Sequence, residues 1–141
     1  MDVATILLRL ALAVVLGGII DWEREAGDKP AGFRTLTMVC VGSTLFVLVG
    51  IDLVSAPDTP ASWDLLRVVA AIIQGIGFLG AGTVLQRGKT IRGLTTAAAL
   101  WAVTAVGVAV GLGNYATAVL GAVAILLILR GLSYVERHWM P

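Results

Sequence analysis

The densest polar group in the chain is Asp21, Glu23, Arg24 and Glu25, which surrounds Trp22 where the first apolar segment ends. Carboxylates at such a position can attract a cation or hold an arginine that faces the protein interior. Arg24, and Arg34 in the loop that follows, can instead bind lipid phosphate or a partner protein. A purely structural interpretation is an interfacial network that ends the helix and keeps its charges in water. The residues alone leave these interpretations open.

Gln74 begins a glycine-rich stretch, QGIGFLGAG, that ends at Gly82. A glutamine inside an apolar segment can form a hydrogen-bonded clasp between helices, or it can belong to a polar path for an ion or solute. Small residues let helices pack closely in a bilayer, so we expect Gly75, Gly77, Gly80 and Gly82 to be packing residues. The stretch is not a nucleotide-binding loop, because no Gly-Lys-Ser/Thr sequence follows it.

Two arginines lie inside the apolar segments, Arg9 in the first and Arg67 in the third. Charge is unfavourable there unless the side chain reaches the membrane surface or finds a partner. The predicted partners are Asp2, Asp52 and Asp64. We also expect Asp64 or Ser62 to cap the third helix, since both types accept hydrogen bonds from free helical N–H groups.

The fourth segment begins with two hydroxyl residues, Thr95 and Thr96. They can cap that helix, return hydrogen bonds to its carbonyl groups, or line a site. Trp101 follows, and then a Gly107-x-x-x-Gly111 pair that predicts a second surface of close helix packing.

Residue combinations for catalysis or metal binding are missing from the sequence. Cys40 is the single cysteine and lies in an apolar run, so we interpret it as a small buried hydrophobic residue. His138 is the single histidine, isolated near the C-terminal end. We therefore expect no enzymatic activity, no metal site, no cofactor and no nucleic-acid partner.

The composition is that of a membrane protein. Hydrophobic residues occupy 58% of the 141 positions and charged residues 13%, with a mean hydropathy of +0.95, whereas soluble proteins carry roughly a quarter charged residues. Five apolar segments approach the length of about 20 residues that a transmembrane helix needs. They predict an all-α integral membrane protein, a compact bundle forming a single domain over residues 1–141. The predicted helices are 3–20, 36–51, 65–85, 94–112 and 115–132.

Lysine and arginine are concentrated in the first and third loops and near the C-terminal end, whereas the second loop, from Asp52 to Asp64, has neither. By the positive-inside rule, the N-terminus is outside and the C-terminus is cytoplasmic. Arg9 interrupts the first apolar run, so we expect no cleaved signal peptide there.

The third helix has two distinct faces when its residues are placed at 100° intervals. Small and polar residues occupy one face, and bulky aliphatic residues occupy the other. We expect the small face to pack in the protein interior against the fourth helix, and the bulky face to contact lipid. The small-residue surface exceeds what one bundle needs, which predicts a homodimer. The small face contains Arg67, Ala70, Ala71, Gln74, Gly75, Gly77, Ala81 and Gly82, with Phe78; the bulky face contains Val68, Val69, Ile72, Ile73, Ile76, Leu79 and Val84.

Three blocks of sequence together resemble the MgtC/SapB family of bacterial inner-membrane proteins. They are GGIIDWEREAGDKPAGFRTLTMVCVG at 17–42, QGIGFLGAG at 74–82 and GLTTAAALW at 93–101. Asp21 departs from the pattern, since the family usually has glycine there. The resemblance extends to the fifth helix, so we expect a short form without a soluble C-terminal domain. Positions that match the family are Glu23, Arg24, Glu25, Ala31, Gly32, Arg34, Thr35, Gln74, the four glycines after it, Gly93, Thr95, Thr96 and Trp101.

The resemblance implies a role in adaptation to low magnesium and in survival inside hosts. It implies regulation of other membrane machinery, such as ATP synthase, rather than direct magnesium transport. One hypothesis is therefore a non-enzymatic regulator that uses the region from Asp21 to Arg34 and the third helix. The other is a small transporter or channel for an ion or solute, lined by Arg67, Gln74 and the Glu23/Arg24/Arg34 group. Only the transporter requires polar residues from several helices to meet in one cavity.

Overall fold

The computed structural model describes residues 1–26, 34–57, 60, 64–87 and 90–139, with side chains at all of these except 26, 85–87, 90 and 132–139. Helices occupy most of this part of the chain, and one short antiparallel hairpin separates the third helix from the fourth. The elements are α1 (Val3–Ala26), α2 (Thr35–Val54), α3 (Leu65–Thr83), β1 (Leu85–Arg87), β2 (Thr90–Arg92), α4 (Leu94–Gly111) and α5 (Tyr115–Trp139).

The predicted all-α membrane bundle is confirmed. Helices α1 to α4 are each long and apolar enough to cross a membrane, and α5 adds a shorter apolar stretch, Tyr115–Gly131. The direction in which the bundle crosses the membrane stays a prediction from the loop charges. Three helices are longer than predicted: α1 continues from residue 20 to Ala26, α2 from residue 51 to Val54, and α5 from residue 132 to Trp139. The group of polar residues around Trp22 is therefore the last turn of α1 and not a loop.

Helix α4 lies at the centre of the bundle and contacts each of the other four helices. In its most apolar stretch 56% of the residues are buried, against 11% in α3. Its sequence is almost entirely Ala, Val, Gly, Thr and Leu, with no polar face, which is typical of a helix surrounded by protein. Because most of these side chains are small, the neighbouring helices can approach closely.

The closest approach joins α4 to α2 at Gly107 and Gly111. A Cβ atom added at Gly111 would lie 2.6 Å from Cβ of Val47, and one at Gly107 would collide with the carbonyl oxygen of Cys40. Thr44 strengthens the same contact, since its hydroxyl donates to the Gly107 carbonyl at 2.8 Å. The small residues of α4 thus bring two backbones into direct contact.

Helix α3 packs against the bundle with the opposite face from the one predicted. Within one chain, the face that carries Gln74 is exposed, and the bulky face supplies the buried Ile76 and the partly buried Val68 and Ile72. The expectation that the small face lies in the interior is therefore wrong for the single chain. The bulky face fills space beside α2: a Cβ at Gly50 would lie 3.2 Å from Cγ2 of Val68.

The packing glycines predicted on α3 divide into two kinds. Gly80 is buried, and a Cβ there would lie 3.6 Å from Cβ of Ala97, so it sits at the contact between α3 and α4. A Cβ added at Gly75, Gly77 or Gly82 would meet no atom within 4 Å. Within one chain these three glycines leave a surface open.

Local signals at the start of each helix explain the boundaries of α3 and α4. Asp64 caps α3 as predicted, because its carboxylate accepts from the backbone N–H of Leu66 at 2.9 Å. The hairpin of β1 and β2 was not predicted, since two three-residue strands are too short to show an alternating pattern. Gly93 begins α4 with φ +91°, and a side chain there would collide with the Thr83 carbonyl.

We expect Gly111→Ala to lower the free energy of unfolding by about 1–3 kcal/mol, because the added methyl group overpacks the contact with Val47. Gly82→Ala is the matched control: its methyl group meets no atom within 4 Å, and alanine has the higher helix propensity. Thermal unfolding in detergent, followed by circular dichroism, measures both. Equal unfolding temperatures for the two variants would contradict this account of α4 packing.

Candidate functional site

Asp21 is the most deeply buried charged residue at the end of α1, with 0% exposure. Its carboxylate accepts three hydrogen bonds from the start of α2: the N–H of Leu36 at 3.3 Å, the N–H of Thr37 at 2.8 Å and the hydroxyl of Thr37 at 2.7 Å. The residue in the N-cap position, Arg34, makes no capping hydrogen bond with its side chain. Asp21 therefore caps α2 from another helix, and its negative charge faces the positive end of the α2 dipole.

Arg24 lies one turn after Asp21 and is 3% exposed. Its Nη2 donates to the hydroxyl oxygen of Thr96 at 2.7 Å, and Thr96 is itself 1% exposed near the start of α4. This contact joins the end of α1 to α4, as Asp21 joins it to α2. We call Asp21, Glu23, Arg24 and Thr96 the inner cluster.

Two polar atoms of the inner cluster have no hydrogen-bond partner in the described part of the chain. They are Nε of Arg24 and Oε2 of Glu23, and both are buried. A buried polar atom without a partner destabilises a protein by about 1–3 kcal/mol. A bound water molecule or ion is one way in which such an atom is satisfied.

The other predicted polar residues lie outside the inner cluster. Glu25, Arg34 and Thr35 are exposed at the same end of the bundle, where α1 ends and α2 begins, and we call them the outer cluster. Thr95 is exposed beside the buried Thr96. Trp101 is 58% exposed, two turns further along α4. Arg67 and Gln74 are exposed on α3, so the structure does not bring them to the Asp21 end.

Sequence reasoning missed Thr37, which supplies two of the three hydrogen bonds to Asp21. A hydroxyl residue in the first turn of a predicted helix was the available signal.

The predicted partners of Arg9 were wrong. Arg9 donates to the Gly111 carbonyl at 2.6 Å and lies 3.4 Å from the Tyr115 hydroxyl, so the C-terminal end of α4 satisfies its charge rather than an aspartate.

The family model described as the MgtC family matches residues 10–138, which include part or all of every helix. The chain belongs to the MgtC family. This confirms the resemblance seen in the sequence blocks, and the chain is a multi-pass protein of the bacterial inner membrane.

Similar proteins from this family extend beyond the matched region. Protein SrpB of Synechococcus elongatus is 41% identical over 137 residues, 92% of this chain and 75% of that protein. Protein MgtC of Salmonella typhimurium is 39% identical over 120 residues, covering 85% of this chain and 49% of that protein. Putative magnesium transporter YhiD of Escherichia coli is 38% identical over 131 residues, covering 90% and 60%. The chain thus spans about half to three quarters of these relatives. No solved structure gives a significant match.

Two cavities of this MgtC-family chain have linings, among the described residues, that lie apart from the inner cluster. A cavity of about 500 Å³ between α2 and α3 is lined by apolar side chains and by the hydroxyls of Ser43 and Thr104. Both hydroxyls donate to carbonyls of their own helices, at 2.7 and 2.8 Å. A second cavity of about 250 Å³ is lined in part by Trp101 and Asn114. Within the described ranges, no group of three His, Cys, Asp or Glu residues could hold a metal ion.

We expect Asp21→Ala to lower the free energy of unfolding by about 2–3 kcal/mol, because it leaves two buried N–H groups of α2 without an acceptor. Asp21→Asn keeps one acceptor oxygen, so its effect should be intermediate. Thr37→Val removes one donor and keeps the carboxylate, and it should have the smallest effect. Thermal unfolding in detergent ranks the three variants, and a wild-type unfolding temperature for Asp21→Ala would exclude the capping role.

The contact between Arg24 and Thr96 predicts a non-additive pair of substitutions. Thr96→Val should lower the free energy of unfolding by about 1–3 kcal/mol, since it removes the hydroxyl that accepts from a buried guanidinium. Adding Arg24→Met should recover part of that loss, because methionine fills the space without charge. A double-mutant cycle measured by thermal unfolding tests this, and strictly additive effects would show that the contact contributes nothing.

Proposed function

We propose that this chain is a non-enzymatic regulator of the bacterial inner membrane that acts during adaptation to low magnesium or ion stress. Its family membership supports the link to magnesium, because relatives carry the names MgtC and putative magnesium transporter YhiD. Regulation is proposed to occur by contact with other membrane machinery, of which ATP synthase is a candidate suggested by the family resemblance. The regulator is proposed to act as a homodimer.

One observation carries this proposal: Arg67 and Gln74 are exposed on α3, apart from the buried Asp21, Arg24 and Thr96. The inner cluster is enclosed at one end of the bundle, with Asp21 and Thr96 hydrogen-bonded to neighbouring helices. Gln74 and Arg67 face away from the bundle on α3. A transport path would need these groups to line one passage. Their separation favours a protein that works through its surfaces.

The outer cluster is the surface that we assign to the partner. Glu25, Arg34 and Thr35 are exposed and lie beside the contact through which Asp21 holds α1 and α2 together. Trp22 is also exposed there, with 64% of its surface accessible. Aromatic and arginine side chains on a rigid base are typical of protein contact surfaces. By the loop charges this end is cytoplasmic, where soluble parts of membrane machinery can reach it.

The described thiol and hydroxyl groups in the core are engaged in packing, which fits a non-enzymatic function. Cys40 of α2 is fully buried, with its Cβ atom facing Gly17 of α1 and its carbonyl oxygen facing Gly107 of α4. The buried hydroxyls of Ser43, Thr44 and Thr104 all donate to backbone carbonyls. These groups are engaged in packing and in helix contacts.

We expect Arg34→Ala to abolish growth at low magnesium without lowering the amount of membrane-inserted protein. The test uses a bacterium from which its own MgtC-family gene has been deleted, complemented with wild-type or variant chains. The mutation removes an exposed side chain that makes no capping contact, so the bundle should remain folded. Crosslinking in membranes before purification should recover a partner with the wild type and not with Arg34→Ala. Arg130→Ala is the matched control, because Arg130 is an exposed arginine on α5 outside the outer cluster.

Transport is the competing function, and a flux measurement distinguishes a transporter from a regulator. Purified wild-type protein in liposomes should show no saturable flux of magnesium, potassium, protons or phosphate. Saturable flux that Arg34→Ala lowers would overturn the regulator and make the Asp21 end a gate. Wild-type growth and partner recovery with Arg34→Ala would instead show that the outer cluster is not the contact surface.

A further inference from the structure

We propose that the exposed small face of α3 binds the same face of a second copy of the chain, with Gln74 of each copy hydrogen-bonded to the other. This inference deepens the proposed homodimer and rests on it. The face is open along its whole length in one chain. Its members recur every three or four residues, at Arg67, Ala70, Gln74, Gly77 and Ala81, and all are exposed. This alternating spacing is the pattern of two helices that cross at a small left-handed angle.

Gln74 shows that protein, and not lipid, covers this face. Helix α3 runs from Leu65 to Thr83, so nine residues (65–73) precede Gln74 and nine (75–83) follow it. The side chain therefore lies at the middle of the span, where water is absent. It is exposed, and no hydrogen bond to its amide exists within the described residues. Lipid tails offer neither donor nor acceptor, so a group from another protein must satisfy it.

The chemistry of a carboxamide points to a second copy as that protein. An amide carries both a donor and an acceptor, so two of them can satisfy each other. In two parallel copies related by an axis along the membrane normal, each residue lies at the same depth as its counterpart. Gln74 then meets Gln74 of the second copy without any change in register. A symmetric contact needs no separate, complementary partner.

The residues around Gln74 suit the same contact. A Cβ added at Gly77 would meet no atom within 4 Å, so the second helix can approach the backbone there. Phe78 is 83% exposed beside this line and would pack against the second copy. At the end of the helix, the exposed Arg67 lies one turn after the exposed carboxylate of Asp64. Each arginine can reach the aspartate of the other copy, which offsets the repulsion between the two arginines.

Disulfide crosslinking in native membranes tests this contact directly. The background is Cys40→Ala, which removes the single native thiol. Gly77→Cys places a thiol on the proposed contact line, and Leu127→Cys places a matched thiol on the exposed face of α5. On oxidation we expect a covalent dimer from Gly77→Cys and none from Leu127→Cys. Equal crosslinking at both positions, or crosslinking at Leu127→Cys alone, would overturn the proposal.

The role of Gln74 has its own measurement. We expect Gln74→Leu to weaken dimerisation in membranes by about threefold to tenfold, as loss of a hydrogen bond between membrane helices does. Gln74→Asn keeps a carboxamide and should retain more of the dimer than Gln74→Leu. Neither variant should change thermal unfolding of the monomer, because the side chain makes no hydrogen bond within the chain.

Failure of this contact is distinguishable from failure of the proposed function. Native mass measurement in mild detergent reports whether any dimer forms. A dimer that crosslinks only through α5 would retain the homodimer and reject the α3 contact. Monomer alone, in detergent and in crosslinked membranes, would reject both. The regulator is judged separately, by growth at low magnesium and by the absence of flux.

Discussion

In this chain, the carboxylate of Asp21 is the interaction that joins the end of α1 to the start of α2. The first N–H groups of any helix lack partners within the helix, and at the edge of a membrane they need a fixed acceptor. Asp21 supplies it from α1 to Leu36 and Thr37, and so fixes where α2 begins relative to α1. Helix α2 then contacts α4 backbone to backbone at Gly107 and Gly111. One buried carboxylate thus ties α1 to α2, and α2 in turn packs against the central helix.

Much of this fold was predictable, because the signals are local. Long apolar segments predict helices, and Asp64 directly before a segment predicts its cap. The glycine pair of α4 marks a close contact, since little else explains two glycines four residues apart in an apolar helix. The last turn of α1 was predicted less well. A run of charges indicates the end of a helix. Only the tertiary structure shows that the side chains of Asp21 and Arg24 are buried and form hydrogen bonds with α2 and α4.

Which face of α3 packs against the rest of the chain could not be predicted from its sequence, and the reason is physical. In water, the apolar face of a helix turns inward because the hydrophobic effect drives it there. In a bilayer, lipid and protein interior are equally apolar, so a helical wheel separates two faces without saying which one meets protein. The bulky face can fill the space beside α2 and α4, as Ile76 does, and the small face can meet another backbone. Both faces of α3 can therefore serve protein contacts, one within the chain and one between copies.

Helix α1 contributes an arginine to each end of α4, and the two contacts differ in their electrostatics. Arg9 binds the carbonyl of Gly111 at the C-terminal end of α4, where the helix dipole favours a positive charge. Arg24 binds Thr96 at the N-terminal end, where the dipole opposes a positive charge, and its Nε has no partner among the described residues. The dipole of α4 therefore favours the contact of Arg9 and opposes that of Arg24. Arg24 lies at the same end of the bundle as Glu25 and Arg34, which is the end proposed for the partner. At this end, the hydrogen bonds of Asp21 with α2 and of Arg24 with α4 hold α1 against both helices.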